Sequence, residues 1–294
     1  ESTFEDVNPS NKTDLLGSFP RSDHRDVDRA VEVTRNQCAS WGRVSAPRRA
    51  DILYVAAGRL AQRAEELALL LTRETGKTLP ESRAEIEAGV AALQDIAGEV
   101  VGGGDATEPS RQPGALSIVT RGPVGVGAVI THWSFPLAGP AWHLAAMLAA
   151  GNSVVFKPSE NAPLAATRLV EILLDSGVSP GALSVIHGPG EDAGAPLVRH
   201  PDIALVSLVG SPQVGREVAI ACAADQKRLL LDTGERCAIV VQEDADLEAA
   251  ISGVIRGGLS MAGQRWRGIP RLVVHRKVLK EFTERLLGRL QLLR

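Results

Sequence analysis

Two periods alternate along this chain. From Val27 to Trp41 the apolar spacing suits a helix. From Arg48 to about Thr75, Ile52, Val55, Ala56, Leu60, Ala64, Leu67 and Leu71 return at three- and four-residue steps, which predicts one long helix with a single buried stripe. Gly76 follows as its cap. Pro80 to Glu99 predicts a third helix. Residues 1–30 are polar with scattered turn residues. The stretch from Gly102-Gly103-Gly104 through Gly114 reads as a loop or hinge.

The period then changes. Short apolar runs at Val124–Thr131, Ser153–Lys157, Leu183–His187, Ile203–Val209 and Arg228–Leu231 predict strands. Between them Pro136–Ala150, Pro163–Leu174, Glu191–Arg199 and Ser211–Ala224 predict helices. Strands alternating with helices imply a parallel sheet with helical crossovers. Near-continuous apolar strands imply that both faces of that sheet are covered. The expected class is therefore α/β: a Rossmann-like, doubly wound parallel sheet over about residues 117–232, preceded by an N-terminal helical region. Beyond it, Ala238–Val241 and Arg271–His275 predict two more strands and Val278–Leu293 a helix. In such sheets ligands bind at the carboxyl ends of the strands, so the residues after each strand are where chemistry is sought.

Composition narrows the functions. The chain has 294 residues, with 32 basic and 35 acidic side chains and a formal charge of −3. That balance argues against a nucleic-acid partner, and 3% aromatic residues are too few for base stacking. No apolar run is long enough for a membrane span. The acidic start Glu1-Ser2-Thr3-Phe4-Glu5-Asp6 is unlike a signal peptide, and a cytoplasmic location is expected. Cys38, Cys222 and Cys237 are too few and too scattered for a disulfide framework or a metal site. Cys222 and Cys237 are expected to be small buried hydrophobes.

Three loops after strands carry polar groups. Gly210-Ser211-Pro212-Gln213-Val214-Gly215 opens a helix. Gly210 suits a tight turn, Ser211 an N-cap and Pro212 the first helical position. The helix end suits a phosphate, although such turns are also ordinary connections. Lys157-Pro158-Ser159-Glu160 places a lysine and a glutamate where a ribose would be held. Taken singly it reads more simply as a solvated loop with a surface ion pair. His132-Trp133-Ser134-Phe135-Pro136-Leu137 offers a histidine that is either a base or structural.

Together, and in this order, these loops resemble the aldehyde dehydrogenase superfamily. Its members carry a Pro-Trp-Asn-Phe-Pro loop, a Lys-Pro-Ser/Ala-Glu loop and a Gly-Ser-x-x-x-Gly turn. Asn8-Pro9, Arg73-Glu74-Thr75-Gly76-Lys77, Arg121-Gly122-Pro123-Val124-Gly125, Ala149-Ala150-Gly151-Asn152 and Asp244-Ala245-Asp246-Leu247 extend the resemblance over essentially the whole chain. The family also carries Leu-Glu-Leu-Gly-Gly-Lys and Gly-Gln-x-Cys segments. Here these read Leu231-Asp232-Thr233-Gly234-Glu235-Arg236 and Gly263-Gln264-Arg265-Trp266.

The resemblance implies a mechanism and shows where this chain departs from it. In the family a cysteine thiolate attacks the aldehyde, an asparagine amide and a backbone N–H hold the oxyanion, and a glutamate activates water. At the nucleophile's position stands Trp266, whose indole is only a donor. Ser134 stands for the asparagine and Asp232 for the glutamate. The implied cofactor is NAD, with NADP disfavoured because Glu160 would repel a 2′-phosphate. The implied cofactor contacts are Ile130, Trp133, Lys157, Ser159, Glu160, Gly190, Gly210, Ser211 and Val214. Trp266 is expected to fill part of the nicotinamide pocket.

The resemblance also divides the chain. Residues 1–232 correspond to the helical region plus the dinucleotide-binding domain, and 233–294 to the start of an incomplete catalytic domain. Its unfinished edges are expected to be covered by a partner, as a homo-oligomer or beside a full-length relative. Three functions stay open: a pseudoenzyme that binds NAD(P), an NAD-dependent aldehyde oxidoreductase working non-covalently through Asp232, and a non-catalytic partner subunit or decayed fragment.

Overall fold

The structure is a computed structural model describing residues 2–102, 106–234, 237–265 and 267–293. It opens with an antiparallel hairpin, β1 (Thr3–Val7) and β2 (Leu15–Pro20), where sequence periodicity showed only a polar stretch. Helix α1 (His24–Gly42) starts at a capping box: Asp23 accepts from the backbone N–H groups of Arg25 and Asp26, and the Asp26 side chain reaches back.

The long helix expected from Arg48 to Thr75 is two helices, α2 (Ala46–Gln62) and α3 (Ala64–Thr75). Arg63 breaks the run by leaving the helical region at φ −99° and ψ 14°. Periodicity hides the break because Leu60, Leu67 and Leu71 all still enter the same core. Gly76, at φ +76°, closes α3 in the left-handed conformation that glycine adopts without strain. Helix α4 (Leu79–Gly102) follows.

The loop expected through Gly114 contains a strand. β3 (Ala106–Pro109) pairs with β4 (Leu116–Val119) in a separate antiparallel hairpin. Every β3 side chain is exposed, so no alternation marks it in the sequence. The parallel sheet therefore begins later than residue 117. It comprises β5 (Val126–Ile130), β6 (Ser153–Lys157), β7 (Leu183–Val185), β8 (Leu205–Gly210) and β9 (Arg228–Thr233), in the order β7-β6-β5-β8-β9, all parallel.

Alternate residues of these strands enter two cores, as the period of a strand demands. Val129, Val154 and Phe156 pack with Leu144 of α5 (Ala138–Ala149), Leu169 of α6 (Pro163–Asp175) and the stripes of α2 to α4. Ala128, Ile130, Val155 and Leu208 pack on the opposite face with Val27 and Val31 of α1, Leu197 of α7 (Ala195–Arg199) and Val218 of α8 (Pro212–Ala224). Gly127 lets α5 approach: a Cβ there would lie 2.5 Å from the sulfur of Met147. The short helix expected at Glu191–Arg199 begins as one π-helical turn, Gly190–Gly194, and runs on into α7.

The C-terminal segment is thinner. β10 (Ala238–Val241) and β11 (Arg271–Val274) form a two-stranded parallel sheet. Helices α9 (Leu247–Leu259), which periodicity did not single out, and α10 (Leu279–Leu290) cover one side of it. Val241, Ile251, Val254 and Phe282 make a small core of their own. Val240, Leu272 and Val273 stay exposed. For the same reason Cys237, expected to be buried, is only half-buried, whereas Cys222 is buried. Among the described residues, no helix is long and apolar enough to cross a membrane.

Candidate functional site

Because β6, β5 and β8 are neighbours, the three polar loops meet at one edge of the sheet. A cleft of about 450 Å³ opens there, with Ile130, Glu160, Gly190, Val198, Leu208 and Val214 among its lining residues. Ile130 and Leu208 are register partners on adjacent strands, so they present side chains on the same face. Expected contacts from four separate segments thus share one cavity.

Trp133 is not among them. It borders a second cleft of about 340 Å³, with Thr75, Asn161 and Gln264. Ile130 and Trp133 therefore do not line one pocket, and Glu160 stands between the two clefts. The physical reason is position: Ile130 ends β5 on the α7–α8 side of the sheet, whereas Trp133 lies beyond the strand's end.

The loop after β6 is not a solvated one. The Lys157 side chain is 3% exposed, and its Nζ donates to the carbonyls of Pro158 (3.0 Å) and Gly188 (2.9 Å) and to Glu160 Oε2 (3.3 Å). Burial lowers its pKa, and the carboxylate of Glu160 opposes the shift. All three ammonium protons are thereby used to hold the loop. Ser159 is buried and accepts from the N–H of Asn161 at 3.3 Å, a local turn. Lys157 and Ser159 thus shape the loop from inside, and Glu160 faces the cleft.

His187, which no sequence signal marked, sits behind this loop. Its ring lies 4.9 Å from that of Phe19, and its Nδ1 is buried without a partner. Burial first, and the Lys157 charge second, push its pKa down to about 4.

At the end of β8, Ser211 caps α8 by accepting from the N–H of Val214 at 3.2 Å, with Pro212 in the first turn. Gly210 is not required by the turn. Its φ is not positive, and an added Cβ would meet only Leu208 at 3.6 Å, an ordinary contact.

The loop after β5 is held by a buried ion pair. Lys77 Nζ contacts Glu85 and donates to the Ser134 carbonyl at 3.0 Å. Glu85 Oε1 in turn accepts from the N–H groups of Leu137 (2.9 Å) and Ala138 (3.2 Å). Lys77 lies in the Arg73–Lys77 motif, but Glu85 had no signal beyond one charge on a helix.

Ser134 points inward. It is buried, and its backbone N–H and hydroxyl both meet His132 Nδ1 at 2.9 Å. Burial pushes the His132 pKa down to about 4, against the pull of Asp232. His132 is neutral at pH 7 and locally engaged. His143 behaves likewise: its Nδ1 meets Ser207 Oγ at 2.8 Å, and burial lowers its pKa. Asp232, near the end of β9, pairs with Arg267 at 3.1 Å. Arg267 was not foreseen, since an ion pair across 35 residues leaves no local pattern. Trp266 lies outside the described residues. Among the described residues no group of three metal-ligating side chains occurs.

The profile of the Aldehyde dehydrogenase family matches residues 1–294. The chain is 35% identical over 282 residues to alpha-ketoglutaric semialdehyde dehydrogenase of Bacillus subtilis (strain 168), covering 96% of this chain and 58% of that protein. It is 34% identical over 288 residues to 2,5-dioxopentanoate dehydrogenase of Saccharolobus solfataricus, covering 97% and 60%. A crystal structure of PnpE in complex with nicotinamide adenine dinucleotide superposes with a TM-score of 0.93 at 32% identity, over 98% of this chain and 59% of that one. The chain thus spans about three-fifths of the length of the relatives it matches.

Proposed function

The chain belongs to the aldehyde dehydrogenase family, and we propose that within it the protein is a nicotinamide-dinucleotide-binding pseudoenzyme, unable to oxidise aldehydes through a thiol. One contrast carries this reading: the cleft around Glu160 is built and braced from behind, while the positions that would do chemistry are engaged elsewhere or lack a nucleophile. Val198, Leu208 and Val214 give the cleft apolar walls suited to a nucleobase. Glu160 gives it an acceptor suited to ribose hydroxyls. The Ser211-capped end of α8, with Gln213 on the cleft, suits a phosphate. When bound, the dinucleotide supplies a hydride acceptor.

For chemistry the chain offers Trp266 at the nucleophile's position, Ser134 facing His132, and Asp232 paired to Arg267. Asp232 as a base in a non-covalent oxidation finds no support in that pairing. Residues 233–294 are then the start of a catalytic domain. The exposed Val240, Leu272 and Val273 favour coverage by further polypeptide, in the same assembly or a full-length relative.

Calorimetric titration with NAD⁺ tests this. Binding in the micromolar range is expected, weakened roughly 10- to 100-fold in Glu160→Gln, the cost of one hydrogen bond to a charged group. NADP⁺ is expected to bind more weakly than NAD⁺, and Trp266→Ala more tightly than the wild type. No binding at millimolar NAD⁺ would overturn the proposal. Aldehyde-dependent NADH formation abolished by Asp232→Asn would replace it with the oxidoreductase reading.

A further inference from the structure

Asp6 and Glu74 are two buried carboxyl groups that none of these roles uses. Glu74, near the end of α3, accepts from the N–H groups of Leu164 (2.5 Å) and Ala165 (3.1 Å) in the first turn of α6. It thereby caps the helix that begins just after the Glu160 loop. Asp6, on β1, lies in hydrogen-bond contact with the Glu74 carboxyl. Yet Asp6 Oδ2 meets no N–H or O–H donor. An ionised carboxylate can only accept, so the two groups can bond each other only if one is protonated.

Their surroundings give Glu74 two backbone N–H groups but supply the pair with little else. Glu5 and Lys12 of the hairpin border the same cleft, and Glu160 stands across it, tied to Lys157. Arg73 pairs with Asp14, and Lys77 with Glu85. Among the described residues no lysine or arginine forms an ion pair with Asp6 or Glu74. Burial accordingly raises both groups, Asp6 to about 6 and Glu74 to about 8, with mutual repulsion adding to the rise at Glu74. The pair reaches the proposed cofactor cleft through Glu160, which borders both clefts.

We propose that Asp6 and Glu74 share a proton and act as a positioning pair for the Lys157–Glu160 loop, so that dinucleotide affinity falls when the proton is lost. This rests on Glu160 serving a bound dinucleotide. Each folded-state pKa lies above its unfolded value, so the folded protein holds the proton more tightly. The stabilisation is full only below about pH 4 and is lost as pH rises from there through about 6 and 8. Loss of the last proton leaves two negative charges in contact at the start of α6, next to Glu160.

The test pairs NAD⁺ titration with thermal unfolding, from pH 6 to 9, in the wild type and Asp6→Asn. The asparagine carries no charge and its amide donates to Glu74 at every pH, so two negative charges never meet there. In the wild type, affinity is expected to fall roughly tenfold and Tm to decline, while Asp6→Asn stays nearly flat in both. Parallel profiles in the two proteins would overturn the proposal. If Asp6→Asn does not fold, Glu74→Gln takes its place, with the same flat profile expected. Absence of NAD⁺ binding at every pH would defeat the cofactor reading and with it the positioning role. A Tm profile still flattened by Asp6→Asn would then show that the proton is shared all the same.

Discussion

Glu160 and Asp232 make an instructive pair. Both are carboxylates at the same edge of one parallel sheet, and both contact a cation, Lys157 at 3.3 Å and Arg267 at 3.1 Å. Lys157 is buried and spends its other protons on two backbone carbonyls, so its pairing fixes the course of a loop. Arg267 is 55% exposed, and such a pair is worth less than about 1 kcal/mol. Similar distances therefore conceal unequal constraint. The proposed cofactor side is organised by groups that must be satisfied because they are out of water. Asp232 is held by a contact that water can replace.

The largest effect expected from the contrast between buried and exposed pairs is at Lys77, which braces the loop after β5. Lys77→Met leaves Glu85 buried without its cation and should cost about 3–5 kcal/mol in urea unfolding. Arg267→Met should cost less than about 1 kcal/mol. Similar losses in both would dissolve the contrast. Next comes acid. His187, neutral in the folded protein with a pKa near 4 against an ordinary 6.5, must charge when the chain unfolds. Its contribution is present above about pH 6.5 and is lost as pH falls towards 4, at most roughly 3 kcal/mol. His187→Gln should flatten that acid limb in unfolding measured at pH 7 and pH 4.5, and an unchanged limb would assign it to other groups such as His132. The smallest effect is at the cap of α8: Ser211→Ala should cost about 1 kcal/mol. A null result there would mean that packing of Val218 and Cys222, not the cap, holds the helix start.

Much of the fold was legible in the residues. Strands β5, β6 and β8 announced themselves as apolar runs because both faces of the sheet are covered there, whereas the edge strand β9, equally apolar in sequence, leaves Leu230 and Leu231 exposed. Ser211-Pro212 marked a helix start because capping is a local geometry. Elements without a buried face were silent: β3 shows no alternation because nothing covers it, and the break at Arg63 is masked by a stripe that continues across it. Of the candidate site, Ile130, Glu160, Gly190 and Val214 do line one cleft. Trp133 borders another, and Lys157 and Ser159 turn inward. Which way a loop side chain points depends on what packs behind it, and no spacing records that.

By itself the sequence determined the parallel α/β class, the loops that gather at the sheet's carboxyl edge, and the residue types on which the proposed loss of thiol chemistry rests. These follow from periodicity, from turn and cap stereochemistry, and from which atoms a side chain possesses. Only the tertiary structure decided that Glu85 completes a buried pair with Lys77, that His187 is kept neutral behind Lys157, that Arg267 meets Asp232, and that Asp6 lies against Glu74. Each of those is a charge placed beside a group distant in the chain, and its energy is set by how much water the surrounding fold excludes.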